Sequence, residues 1–374
     1  MEPLVTLHEV GIFCGQLNIE ELKAAVEEGN LTAAAAKAKE ALEMADKISL
    51  NIAVTGESGS GKSSFVNAIR GLRDTDEGSA ETGVIEMTIE PTAYPHPKYP
   101  NVKIWDLPGI GTPTFQPDTY LEQVQFSQYD FFIIIASEHF KYNHVTLALE
   151  IQRLGKKFYF VRCKPLLYSE TAILALIREN CVKNLETAGF PSPQVFLIAN
   201  PEFGKYDSPK LQDTLIDELP RQKRLTFLRS LPNISKEALE KKKKVLQGQI
   251  WLKSIASAAI AAVPIPGLST ACDVAILVAS LKGYCKDFGL DEDSLNKLAR
   301  QTGKPITELK AMIKSPLLDE ITKDLVIKLL TKSATGAVKY PLLFLNSIPV
   351  IVVAADGQLL GCIYTCKLSR LKPA

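Results

Sequence analysis

The chain has 374 residues, 46% of them hydrophobic and 23% charged, a globular profile with apolar material for more than one core. A formal charge of +1 excludes a strong overall field toward acidic partners, and no nucleic acid is expected as a ligand. The seven cysteines are scattered, and Cys362 and Cys366 form the one close pair, which argues against a disulfide scaffold and against zinc and for reduced thiols in the cytoplasm.

In chain order, Met1-Glu2-Pro3-Leu4 carries no basic region with a following apolar run, and position 2 is not Gly. Neither a signal peptide nor a myristoyl anchor is expected. Residues 17–47 read as helix. Ile19, Leu22, Ala25 and Val26 share one face, Gly29-Asn30 interrupts, and Ala33 to Ile48 resumes. Residues 1–48 are therefore an N-terminal helical segment.

Residues 49–222 alternate strands and helices, as an α/β fold with a mainly parallel sheet requires. Leu50 to Thr55 is a short apolar strand candidate. It leads into Gly56-Glu57-Ser58-Gly59-Ser60-Gly61-Lys62-Ser63, which fits G-x-x-x-x-G-K-[ST] at every fixed position. Ser64 to Arg70 follows with helical spacing. Strand, glycine loop and helix in that order cradle phosphate. The glycines let backbone N–H groups turn inward, and the helix N-terminus adds partial positive charge. Lys62 is expected on the β- and γ-phosphates and the Ser63 hydroxyl on Mg²⁺.

Thr75 to Thr92 reads as a switch loop, which must supply one Thr to Mg²⁺ and the γ-phosphate; Thr82 and Thr88 are both candidates. Glu86 has two readings, a water-positioning acid or a solvent-facing strand residue. Val102 to Trp105 is the next strand candidate, and Trp105-Asp106-Leu107-Pro108-Gly109 ends it with Asp-x-x-Gly. Asp106 is expected to hold Mg²⁺ through water, and the Gly109 N–H to sense the γ-phosphate. Ile110 follows, where Ras-like enzymes place a water-orienting Gln, so hydrolysis needs another group.

Asp130 to Ala136 is a doubly buried strand, and Phe158 to Val161 and Val195 to Ala199 are two more. After the second comes Cys163-Lys164-Pro165-Leu166, where a guanine-reading [N/T]-K-x-D is expected. Lys164 is placed to stack on the base. Leu166 replaces the Asp that would pair guanine's N1–H and amino group, at a cost of roughly 2–4 kcal/mol, or about 30- to 1000-fold in affinity. Asn200 ends the last strand, where a base-contacting loop is expected.

Residues 223–374 read as an α-helical domain. Ser235 to Ile255 is a long helix candidate whose Lys241 to Lys244 read as a solvated face, with a membrane-surface or interdomain contact as the other reading. Ser254 to Leu281 and Pro341 to Cys366 are apolar but broken by Pro and Asp, and read as buried helices.

Several runs together resemble the interferon-inducible, immunity-related GTPases. They are Val54 to Gly59 with Gly61 to Ser64, Glu81 to Glu86, Tyr94 to Pro97, Ile104 to Gly111, Tyr129 to Ile134, Lys157 to Arg162, Phe288 to Leu295 and Ile313 to Pro316. The resemblance spans residues 17 to 365. It implies a Ras-like P-loop G domain joined to an all-α domain built from both chain ends. It implies GTP and GDP as ligands, self-association through G domains, and action at intracellular membranes in cell-autonomous defence. The family's nucleotide residues fall on Gly61, Lys62, Ser63, Ser64, Thr82, Asp106 and Gly109, and a Glu implicated in hydrolysis on Glu86. Arg162 and Lys164 match the base-reading run, whereas Cys163 and Leu166 do not. Two function classes follow. One is a slow GTPase whose turnover rises on self-association; the other is a pseudo-GTPase that acts through its helical surfaces.

Overall fold

The computed structural model describes residues 21–22, 24–25, 28–83, 90–110, 116–138, 140–163 and 171–232, and in the C-terminal part 238–243, 245–246, 249, 252–253, 268–302, 305–313 and 321–327. The chain divides into two compact units: Ile48–Leu219 with Thr226–Ile234, and Met1–Lys47 with Pro220–Leu225 and Ser235–Ala374.

The elements in chain order are α1 (Leu31–Lys47), β1 (Leu50–Gly56), α2 (Lys62–Ile69), β2 (Thr92–Pro95), β3 (Val102–Asp106), α3 (Pro117–Gln123), β4 (Phe131–Ala136), α4 (Tyr142–Arg153), β5 (Lys157–Cys163), α5 (Thr171–Thr187), β6 (Val195–Ile198), α6 (Ser208–Glu218), α7 (Arg221–Ser230), α8 (Leu268–Asp287), α9 (Glu292–Thr302) and α10 (Ile306–Ile313). The strands form one six-stranded sheet in the order β2-β3-β1-β4-β5-β6. β2 runs antiparallel to β3, and every other neighbouring pair is parallel.

All six residues of β4 are buried, the signature of a central strand covered on both faces. On one face Phe132 and Ile134 pack with Leu147 and Ile151 of α4 and with Cys181 and Leu185 of α5. The ring of Phe131, one residue along and so on the opposite face, packs edge-to-face against Tyr159 and Phe227. The chain steps outward from β1 to β3 and then crosses back to β4. The carboxyl ends of β1 and β4 therefore flank the point where strand order reverses, the usual place for a ligand in an open α/β sheet.

Two sequence expectations shift here. Thr92 opens the antiparallel edge strand β2 rather than closing a loop; Thr92-Ala93-Tyr94-Pro95 is short and largely exposed, so only its pairing with β3 defines it. The boundary expected at 222 falls inside α7. The stretch Thr226–Ile234 groups with the sheet, and its Phe227, Leu228 and Leu231 are buried.

In the helical unit, Leu22 and Ala25 pack with Ala34, Ala38 and Leu252, which joins the two chain ends. Gly29, at φ +70°, makes the expected break. Ile19 and Val26 lie outside the described residues. A second cluster gathers Leu239 and Leu246 with Leu281, Tyr284, Phe288, Leu290 and Leu295. The lysine run is not uniformly a solvated face. Lys242 is 2% exposed, and its Nζ donates to the Asp287 carbonyl at 3.0 Å. That carbonyl closes α8, where unpaired acceptors and the negative end of the helix dipole attract a cation. The rear of the first apolar segment forms α8; residues 254–267 and the Pro341 to Cys366 segment lie outside the described residues. Among the described residues, no helix is long and apolar enough to cross a membrane.

Candidate nucleotide-binding site

The phosphate loop follows β1 and turns into α2, with Gly61 as N-cap at φ +93°. A left-handed backbone there is open to glycine and strained for a side chain. Gly56 has a second reason to be glycine. A Cβ at that position would lie 2.2 Å from the Ile135 carbonyl oxygen of β4, which no rotamer relieves. The loop thus passes tightly over the sheet and keeps its concave side for a ligand. The Ser60 hydroxyl is buried within it and has no hydrogen-bond partner among the described residues. The Lys62 side chain folds back over the loop, 7% exposed, and its Nζ donates to the Glu57 carbonyl at 3.1 Å.

The metal candidates meet across strands. The Ser63 hydroxyl, in the first turn of α2, donates to Asp106 Oδ2 at the end of β3 at 2.6 Å. Asp106 is 1% exposed. β1 and β3 are neighbours with Val54 opposite Asp106, so residues 43 apart in sequence converge beside the loop. Two adjacent hard oxygen donors suit Mg²⁺, which keeps much of its water and takes few protein ligands. Thr82 is exposed in this structure. Thr88, Glu86 and Lys164 lie outside the described residues.

The Asp-x-x-Gly loop is latched from three sides. The Ile110 N–H donates to the Gly56 carbonyl at 3.2 Å, and Asn143 Nδ2, from α4, donates to the Ile110 carbonyl at 2.6 Å. The Tyr120 hydroxyl, from α3, donates to the Pro108 carbonyl at 2.9 Å and lies 2.9 Å from Thr55 Oγ1. The Ile110 side chain is fully buried in the sheet core. A buried apolar side chain offers an attacking water no hydrogen bond.

Three residues have partners that the sequence does not announce. The Ser64 hydroxyl donates to Asp74 Oδ2 at 2.9 Å, so this side chain is engaged away from the phosphate loop. Asn200 Nδ2 donates to the Gly61 carbonyl at 3.0 Å, and its Oδ1 accepts from the Cys163 thiol at 3.8 Å. Asn200 thus ties the strand ends of the base-side loops to the phosphate loop. Glu57 forms an ion pair with Lys141 at 2.7 Å, and this carboxylate raises the Lys141 ammonium above its ordinary range. Just behind, His144 is 1% exposed and its Nδ1 accepts the Lys141 backbone N–H at 3.1 Å. Burial lowers its pKa, against a smaller opposing pull from Glu57. Sequence reasoning missed His144 and Asn143; their role depends on α4 starting beside the loop, and no local pattern encodes that.

Strand order, phosphate loop and the Ser63–Asp106 pair define a Ras-like P-loop G domain. A family model described as Interferon-inducible GTPase (IIGP) matches residues 16–350. The chain is 44% identical over 370 residues to interferon-inducible GTPase 5 of Bos taurus, a match covering 96% of this chain and 80% of that protein. It is 42% identical over 376 residues to interferon-inducible GTPase 5 of Rattus norvegicus, covering 97% and 81%. Against interferon-inducible GTPase 1 of Mus musculus the identity is 41% over 324 residues, covering 83% and 78%. The chain belongs to the interferon-inducible GTPase family.

Proposed function

We propose that this protein binds GTP and GDP with Mg²⁺ and hydrolyses GTP to GDP and phosphate. The observation that carries the reading is the Ser63–Asp106 contact of 2.6 Å beside a phosphate loop too tight at Gly56 for any side chain. The loop from Gly56 through Glu57, Gly59, Ser60 and Gly61 to Ser64 cradles the phosphates with backbone N–H groups, and Lys62 neutralises the β- and γ-oxygens. Ser63 and Asp106 hold the metal, Asp106 through water, with Thr82 or Thr88 completing the set. Bound Mg²⁺ supplies neutralisation of charge on the phosphate oxygens as the γ-phosphoryl bond breaks. The Gly109 N–H meets the γ-phosphate. Lys164 stacks on the base, and Asn200 holds the loop at Gly61.

With Ile110 buried, the water must be oriented by another group, which we assign to Glu86 or to a second molecule. This supports self-association through G domains, with itself or with other family members, as the route to turnover. The names of the relatives support a place in an interferon-induced response; a role in innate defence and a cytoplasmic protein peripheral on an intracellular membrane are carried by the family resemblance. The pseudo-GTPase alternative rests on Leu166 and on a base-reading segment shorter than the family's, whereas the phosphate loop and the Ser63–Asp106 pair favour hydrolysis. The test is titration with labelled GTP, GDP and ATP with and without Mg²⁺, followed by phosphate release over a wide range of protein concentration. Mg²⁺-dependent GTP binding and specific activity that rises with concentration are expected. Affinity indifferent to Mg²⁺ refutes the metal assignment, and flat activity refutes self-activation.

A further inference from the structure

Helix α2 carries Lys62 and Ser63 at its start and Asn67 further along, and Arg70 caps its C-terminal end; Asn67 and Arg70 are both buried. Neither belongs to the phosphate loop, and both reach the segment that leads into and out of the switch-loop threonines. Asn67 Oδ1 accepts the Ala80 N–H at 2.6 Å, while its Nδ2 donates to the Ala80 carbonyl at 3.0 Å and to Asp74 Oδ1 at 2.9 Å. Ala80 stands two residues before Thr82. Arg70 holds the far end. Its Nε and Nη2 donate to the Pro95 carbonyl at 3.2 and 3.0 Å, and Nη2 also donates to the Gly78 carbonyl at 2.9 Å. Its guanidinium lies over the Tyr94 ring, 5.4 Å from the centroid.

One helix therefore grips Gly78 and Ala80 before Thr82, and Pro95 at the end of β2. The planar fork of Arg70 bonds two carbonyls 17 residues apart in sequence, a geometry that a lysine cannot reproduce. We propose that Asn67 and Arg70 are positioning residues that fix both ends of the switch segment to the helix carrying Lys62 and Ser63, so that the segment's metal-binding threonine and Ser63 are presented to Mg²⁺–triphosphate as one unit. The proposal rests on the nucleotide-site reading above. It concerns the triphosphate state, because a diphosphate has no γ-phosphate for the switch threonine to meet.

The test is the affinity of Arg70→Lys and Asn67→Asp for a non-hydrolysable GTP analogue and for GDP, each with Mg²⁺. Arg70→Lys keeps the charge over Tyr94 and loses the fork; Asn67→Asp keeps the acceptor for the Ala80 N–H and loses both donors. Each is expected to weaken the triphosphate analogue about tenfold while GDP affinity stays within about a factor of two. A merely structural role would weaken both nucleotides together, and that result, or no change in either, overturns the clamp. A parent protein that binds neither nucleotide overturns the site reading and the clamp with it. Hydrogen exchange on the unaltered protein tests the same anchor without any variant: the Ala80 amide should be protected before nucleotide is added, and rapid exchange there overturns the anchor at that end.

Discussion

Lys62→Ala removes a side chain that is 7% exposed over the phosphate loop and whose ammonium donates to the Glu57 carbonyl at 3.1 Å. That carbonyl belongs to the loop and can turn to water, and Lys62 is not part of the apolar core, so the fold should persist. For the ligand the loss is larger. Charge-assisted hydrogen bonds contribute about 1.5–3 kcal/mol each. One to a β-oxygen and one to a γ-oxygen make about 3–6 kcal/mol, or a loss of roughly 10²- to 10⁴-fold in GTP affinity. Two measurements separate ligand from fold. Titration with labelled GTP reads the affinity. Thermal melting reads the fold, and in the parent it should rise with GTP, because ligand at about 100 times its Kd adds about 2.7 kcal/mol. The variant should melt near the nucleotide-free parent and gain nothing from GTP. Equal GTP affinity in a folded variant refutes the phosphate-loop assignment.

Leu166→Asp supplies the carboxylate that guanine's N1–H and amino group demand, so competitive displacement of labelled GDP should show GTP gaining more than ATP; a parent that already prefers GTP about a thousandfold refutes that account of position 166. Lys242→Ala should destabilise the helical unit by about 2–4 kcal/mol in urea unfolding, from the lost stem packing and the lost hydrogen bond to the Asp287 carbonyl, whereas Lys243→Ala should stay within about 0.5 kcal/mol; equal effects would return the run to a solvated face. Buried His144 stays neutral in the folded protein, its pKa held below the ordinary 6.5. The unfolded chain then takes up a proton that the folded chain refuses, so the stability His144 contributes is present above about pH 6.5 and is lost as pH falls toward the lowered value. His144→Gln should flatten the fall in melting temperature between about pH 7 and pH 5, and an unchanged slope refutes the role.

The sequence by itself determined the parts whose chemistry is local. Gly56 to Ser63 declares a phosphate loop because its glycines, lysine and serine form one contiguous pattern between a strand and a helix, and the apolar runs at Leu50 to Thr55 and Asp130 to Ala136 declare central strands because both faces must be buried. Asp-x-x-Gly at Asp106 was legible as soon as it stood on a strand end after that loop. Only the tertiary structure decided what depends on one element meeting another. β2 exists through its pairing with β3, since Thr92 to Pro95 has no apolar pattern of its own. Lys242 is buried because the end of α8 offers a carbonyl 45 residues away, and a lysine reads as a surface residue wherever no such acceptor is known. Asn67 and Arg70 look like ordinary helix residues until the chain returns to place Gly78, Ala80 and Pro95 beside them. Periodicity records which face of an element is apolar. It does not record which distant backbone groups need a partner, and the folded chain supplies those partners by bringing distant segments together.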